Sequence, residues 1–161
     1  MKRNNPTVLP TNADIVKMSQ HLRDVGDKQL KCLHSENQEI NQDAWISLNE
    51  TTLCQLIIFN RRRQGEVSKM KLVDFEKKHM AKPDGMCILN KFEQGLCKLL
   101  EIVEIVGKRG RTVPVLLTPE MSEKVSLLVA NRTNMGIPTE NEFVFARPNY
   151  HSFGHIRGSD C

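Results

Sequence analysis

Two runs of β-branched and apolar residues, 102–106 and 112–117, flank a short basic turn, Gly107-Lys108-Arg109-Gly110-Arg111. Runs of this kind joined by a glycine-containing connection form an antiparallel hairpin. Almost every other apolar stretch recurs at helical spacing. One hairpin among several amphipathic helices restricts the chain to the α+β class, a mainly helical domain with a small antiparallel sheet packed on one side. Pro114 has no amide to donate, so its strand is expected at an edge, or with that position facing away from its neighbour.

The helical readings follow from spacing and caps. Thr11 or Asn12 can cap a helix through Ile15, Met18, Leu22 and Val25, and Gly26 is expected to end or interrupt it before a second piece through Leu30 and Leu33. A polar connection, 34–42, then leads to Asp43 as a cap. Trp45, Ile46, Leu53, Leu56 and Ile57 form one apolar face, so this helix carries Arg61-Arg62-Arg63 to its C-terminal end. Gln64-Gly65 breaks the pattern, Glu66 favours a new start, and Val67 and Met70 can turn inward from one short turn of helix. Residues 76–83 read as a charged loop and 88–100 as an amphipathic helix. Thr118-Pro119-Glu120 starts another, with Val125, Leu127, Leu128 and Val129 inward and a stop in 131–136. Phe143-Val144-Phe145 reads as a last strand. The expected organisation is an N-terminal arm, 1–10, a domain, 11–146, and a polar tail, 147–161.

At 161 residues the chain can bury one core, and its formal charge of +4 is too small to argue for nucleic acid without local clustering. No stretch approaches the roughly 20 apolar residues of a membrane helix and the N-terminus lacks an apolar run, so an intracellular, non-secreted protein is expected. The sequons at Asn49 and Asn131 are discounted for the same reason. Five scattered cysteines, without Cys-x-x-Cys spacing, read as reduced thiols that mostly fill the core, and the histidines show no metal spacing. Neither metal nor cofactor is expected. Aromatics at 5% are too sparse for a platform that stacks single-stranded bases.

Clustering is present in two places, Arg61-Arg62-Arg63 at a helix junction and Lys108, Arg109 and Arg111 in the hairpin turn. Guanidinium forks match phosphate oxygens and a lysine delivers a compact charge or a proton, so the pair suggests a phosphodiester site. The plainer readings are a solvated helix end, where cations suit the dipole, an exposed turn, and a nuclear-import signal. Lys69, Lys71, Lys77 and Lys78 read as surface charges.

The order Arg63, Glu66, Val67, Met70, Asp74, then Gly107, Lys108, Arg111, Val113, Pro114, resembles two signatures of the tyrosine-recombinase (phage-integrase) catalytic domain, more narrowly the versions in eukaryotic mobile elements. The resemblance covers roughly residues 10–145 and implies that 76–100 is an insertion relative to the family's compact bacterial members. It implies a DNA-binding domain acting in recombination or integration in the nucleus, on double-stranded DNA, with room for a homo-oligomer on that DNA. Arg63 and Lys108 are then the catalytic candidates, binding the scissile phosphate and protonating the leaving 5′ oxygen. Arg61, Arg62, Lys69, Arg109 and Arg111 contact DNA, and Glu66 supports the helix start and orients Arg63. The family's later His-x-x-Arg and nucleophilic tyrosine have no counterpart here: His155-Ile156-Arg157 has the wrong spacing and Tyr150 has no motif around it. The chain as given is therefore expected not to complete strand exchange by itself. The alternative is a non-catalytic domain of the same fold that binds a protein.

Overall fold

The computed structural model describes residues 10–34, 41–80, 91–148 and 153–159. The N-terminal arm, Cys87 and Ile88, Tyr150 and His151, and Cys161 lie outside the described residues, as do the side chains of Phe92 and Leu96.

Helix α1, Asn12–His34, begins where Thr11 and Asp14 exchange bonds, the Thr11 amide donating to Asp14 Oδ2 at 2.9 Å and the Asp14 amide to Thr11 Oγ1 at 3.3 Å. It runs unbroken through Gly26, contrary to the expected interruption. The reason is packing: a methyl at Gly26 would sit 3.0 Å from Lys124 Nζ, which passes under the helix to pair with Asp27 at 2.7 Å. Glycine is there for a close approach, not for a turn.

Helix α2, Gln42–Asn60, is capped by Asn41, whose side chain accepts the Ala44 amide at 3.1 Å, while Asp43, the expected cap, falls in the first turn. Trp45, Leu48, Leu53 and Leu56 are fully buried, and the Trp45 indole donates to the Leu128 carbonyl at 3.2 Å. Each such side chain contributes about 1.5–3 kcal/mol. Asn49 is also buried, its amide donating to the Ala146 carbonyl at 3.0 Å, which removes that sequon from the surface.

Two short helices follow, α3 (Gln64–Val67) and α4 (Leu72–Glu76), with Val67 and Met70 turned inward as expected. The charged segment read as a loop contains β1, His79–Met80; of the helix expected over 88–100 the described part is α5, Lys91–Cys97, which ends three residues before the expected end. The hairpin is present as β2, Glu101–Val106, and β3, Thr112–Leu117, antiparallel with Val103 opposite Val115 and Glu104 opposite Pro114. The sheet order is β1-β2-β3, so Pro114 lies on an edge strand. Val103, Ile105, Val115 and Leu117 are buried, and the residues between them are half-buried (Leu116) or exposed (Glu104), the alternation of a sheet with one face on the core.

Helix α6, Pro119–Ala130, starts at Thr118, whose Oγ1 accepts the Met121 amide, and buries Val125 and Leu128, with Leu127 and Val129 only partly covered. Lys78, read as a surface charge, is instead tied to Glu101 at 2.8 Å and to Ser122 across the sheet edge. Among the described cysteines none fills the core: Cys32 is exposed and Cys54 and Cys97 are half-buried. Residues 143–145 do not join the sheet. Phe143 makes an isolated bridge to Lys71, and Ala146, just beyond, one to His155; the Arg132 guanidinium donates to the carbonyls of Asn141 and Phe143 and holds this stretch as irregular chain over the core. Beyond it the polar tail folds back and buries Ile156, whose amide donates to the Phe145 carbonyl at 2.7 Å. No helix among the described residues is long and apolar enough to cross a membrane.

Candidate nucleic-acid interface

Helix α2 ends in a left-handed residue, Arg61, with φ of 50°, whose amide returns to the carbonyls of Ile57 and Ile58. This reversal turns the chain so that Arg63, extended, becomes the residue before α3, and its carbonyl accepts the Glu66 amide at 2.9 Å. Arg63 thus stands at a helix junction.

What brings that junction to the hairpin is Asn60. Its side-chain amide donates to the Leu116 carbonyl at 3.0 Å and accepts the Leu116 amide at 2.7 Å, pairing with the outer edge of β3 as a neighbouring strand would. A second tie comes from Glu66, whose carboxylate accepts the Lys108 amide at 3.5 Å from 42 positions away. Glu66 stands in the first turn of α3, as expected of a residue that supports the helix start, and it also grips the hairpin turn. Gly107 allows the approach, since a methyl there would lie 2.5 Å from Val113 Cγ2 and 3.4 Å from Glu66 Oε1. The turn itself closes through the Gly107 amide on the Arg111 carbonyl at 2.7 Å, with Arg109 and Gly110 both left-handed.

The outcome is one open recess of about 280 Å³ lined by Arg63, Glu66, Lys108, Arg109, Arg111 and Val113. Four cations face one carboxylate, and that carboxylate is engaged by the turn. An excess of positive charge in an open, solvated concavity suits an anion with several oxygens. Among the described residues none that lines the recess has a nucleophilic hydroxyl or thiol, so what this arrangement does chemically is bind and neutralise. Arg61, Arg62 and Lys69 are exposed but do not line it; Lys69 lies beyond α3 in the chain. Asn60 was not legible as part of the site, because an asparagine at the end of a helix is ordinary and its partner is remote in sequence.

A second recess, about 150 Å³, lies between α1, the end of α2 and the start of α6, and is lined by Leu22, Ile58, Phe59 and Met121 among others. It gathers no comparable charge.

The chain matches no protein-family model, no curated protein and no solved structure.

Proposed function

We propose that this chain is a DNA-binding domain of the tyrosine-recombinase type, which holds the backbone of duplex DNA in the recess between α3 and the β2–β3 turn. The observation that carries the reading is that Arg63 and Lys108, far apart in sequence, line one concavity together with Arg109 and Arg111. Arg63 offers a planar fork to phosphate oxygens and Lys108 a compact ammonium that can reach a leaving oxygen, the roles that the motif resemblance gives them. Binding of this kind reads charge and backbone, not base sequence.

The test is a titration of labelled duplex at two salt concentrations. Wild-type affinity is expected to fall steeply with salt, and Arg63→Ala with Lys108→Ala to lower the slope of log K against log salt by about two, near 0.9 per lost phosphate contact. Salt-insensitive binding, or none at low salt, overturns the proposal. The second reading, a protein-binding domain, is favoured by the apolar recess beside exposed Met18 and Phe59.

A further inference from the structure

We propose that the open edge of β2 takes up a short, extended, basic segment of a protein partner, which adds to the sheet as a further strand beside Glu104 and Val106. This edge is separate from the basic recess and from the apolar one, and nothing at it depends on the DNA-binding reading.

The hairpin ladder fixes which backbone groups face out. The Gly107 amide bonds to the Arg111 carbonyl, and antiparallel pairs alternate between bonded and non-bonded. Ile105 with Val113, Val103 with Val115 and Glu101 with Leu117 therefore exchange the bonds between β2 and β3, and the residues between them turn their amides and carbonyls outward. On β3 two of the outward positions are closed, Leu116 by the Asn60 side chain and Pro114 by its lack of an amide. On β2 the outward Ile102 is paired by His79 of β1, and the chain before His79 leaves the sheet for α4. Glu104 and Val106 come next. Among the described residues no hydrogen bond reaches their outward amides and carbonyls.

Two donors and two acceptors in a row are what an incoming strand pairs with. A recess of about 220 Å³ accompanies them, between Asp74, Lys77 and His79 and the edge residues Glu104 and Val106. That is room for a short run of chain. Val106 is 72% exposed, an apolar side chain where a protected edge carries a charge or a proline.

Charge selects the occupant. Asp74 already accepts the Lys71 amide at 3.2 Å, whereas Glu104 is exposed and has no ion pair among the described residues. A strand added beside β2 sets one side chain directly opposite Glu104 on the outer face. Lysine or arginine there gains the cross-strand attraction, and a β-branched residue opposite Val106 packs on it. A second copy suits this edge less well, because pairing two β2 edges about Ile105 sets the two Glu104 carboxylates diagonally on one face, where they repel.

The test uses the whole chain, isotope-labelled, with two blocked pentapeptides, Thr-Val-Thr-Lys-Thr and Thr-Val-Thr-Glu-Thr. With the basic peptide in excess, hydrogen exchange at the Glu104 and Val106 amides is expected to slow by about tenfold or more, and the acidic peptide is expected to bind about three- to tenfold more weakly. Glu104→Lys is expected to reverse that preference. Val106→Pro removes an amide that faces outward and leaves the β2–β3 ladder intact, so it is expected to abolish binding in a folded protein. If the proline variant misfolds, Glu104→Lys decides. Exchange at Glu104 and Val106 that neither peptide moves, or equal binding of both peptides, overturns the proposal. Protection of these amides that grows with protein concentration alone assigns the edge to a second copy and overturns it too. Duplex binding is expected to persist in both variants, so this inference and the DNA-binding reading fail separately.

Discussion

Arg61 and Arg109 are the non-glycine residues with left-handed backbone among those described, and each sits in one of the two basic elements. Outside glycine this conformation costs about 1–2 kcal/mol, a strain that the surrounding structure holds in place. Arg61→Gly is therefore expected to raise stability by about 0.5–1 kcal/mol in urea unfolding, and Arg61→Val to lower it. Arg132 makes the opposite case. Its guanidinium is buried and serves two backbone carbonyls, so Arg132→Met is expected to lower stability by about 2–4 kcal/mol in the same measurement, by leaving the carbonyls of Asn141 and Phe143 without donors. Glu101 has a pH signature. Burial pushes its carboxyl up, but the bonds from Lys78 and Ser122 outweigh this and hold it below the ordinary glutamate range. A depressed folded-state value means stability that is present above the unfolded value, about 4.3, and lost as pH falls through the folded one. The stability difference between wild type and Glu101→Gln, followed by urea midpoints from neutral to acid pH, is expected to shrink in that window.

At the scale of elements, α2 ties the core to the surface. Its first turns carry Trp45 and Leu48 into the interior, and its last residue, Asn60, pairs with the edge of β3. Asn60→Ala orphans the Leu116 amide and carbonyl, and is expected to cost about 1–3 kcal/mol and to weaken duplex binding, because the junction that bears Arg63 loses its register against the hairpin. Gly107→Ala tests the same docking from the other side. The added methyl overlaps Val113, so the turn must shift away from Glu66, and binding is expected to fall although no charge is removed. A melting curve and a duplex titration on each variant separate lost stability from lost placement.

For the whole molecule, one cluster runs from Trp45 through Val103 and Leu117 to Phe145 and Ile156, joining helices, sheet and tail in a single interior. Much of this was legible in the sequence because local signals agreed with the final packing. The β-branched runs beside Gly107 became β2 and β3, Thr118-Pro119 became the start of α6, and the two basic elements share a recess. What was not legible depended on partners distant in the chain. Gly26 looked like a break because Lys124 is nearly a hundred positions away, and residues 143–145 looked like a strand because the clamp from Arg132 leaves no trace in their alternation.

The ammonium beneath Gly26 also bears on how the molecule opens. Gly26 is the buried residue of α1, and the contact there is a cation with a counter-ion that is 45% exposed. When α1 lifts away, Lys124 regains water and recovers hydration that folding removed, which lowers the free energy of that excursion relative to separating two oily surfaces. The first helix is thus the part expected to detach on its own, exchanging its amide hydrogens well before those of the Trp45 region, and Lys124→Met should slow that exchange.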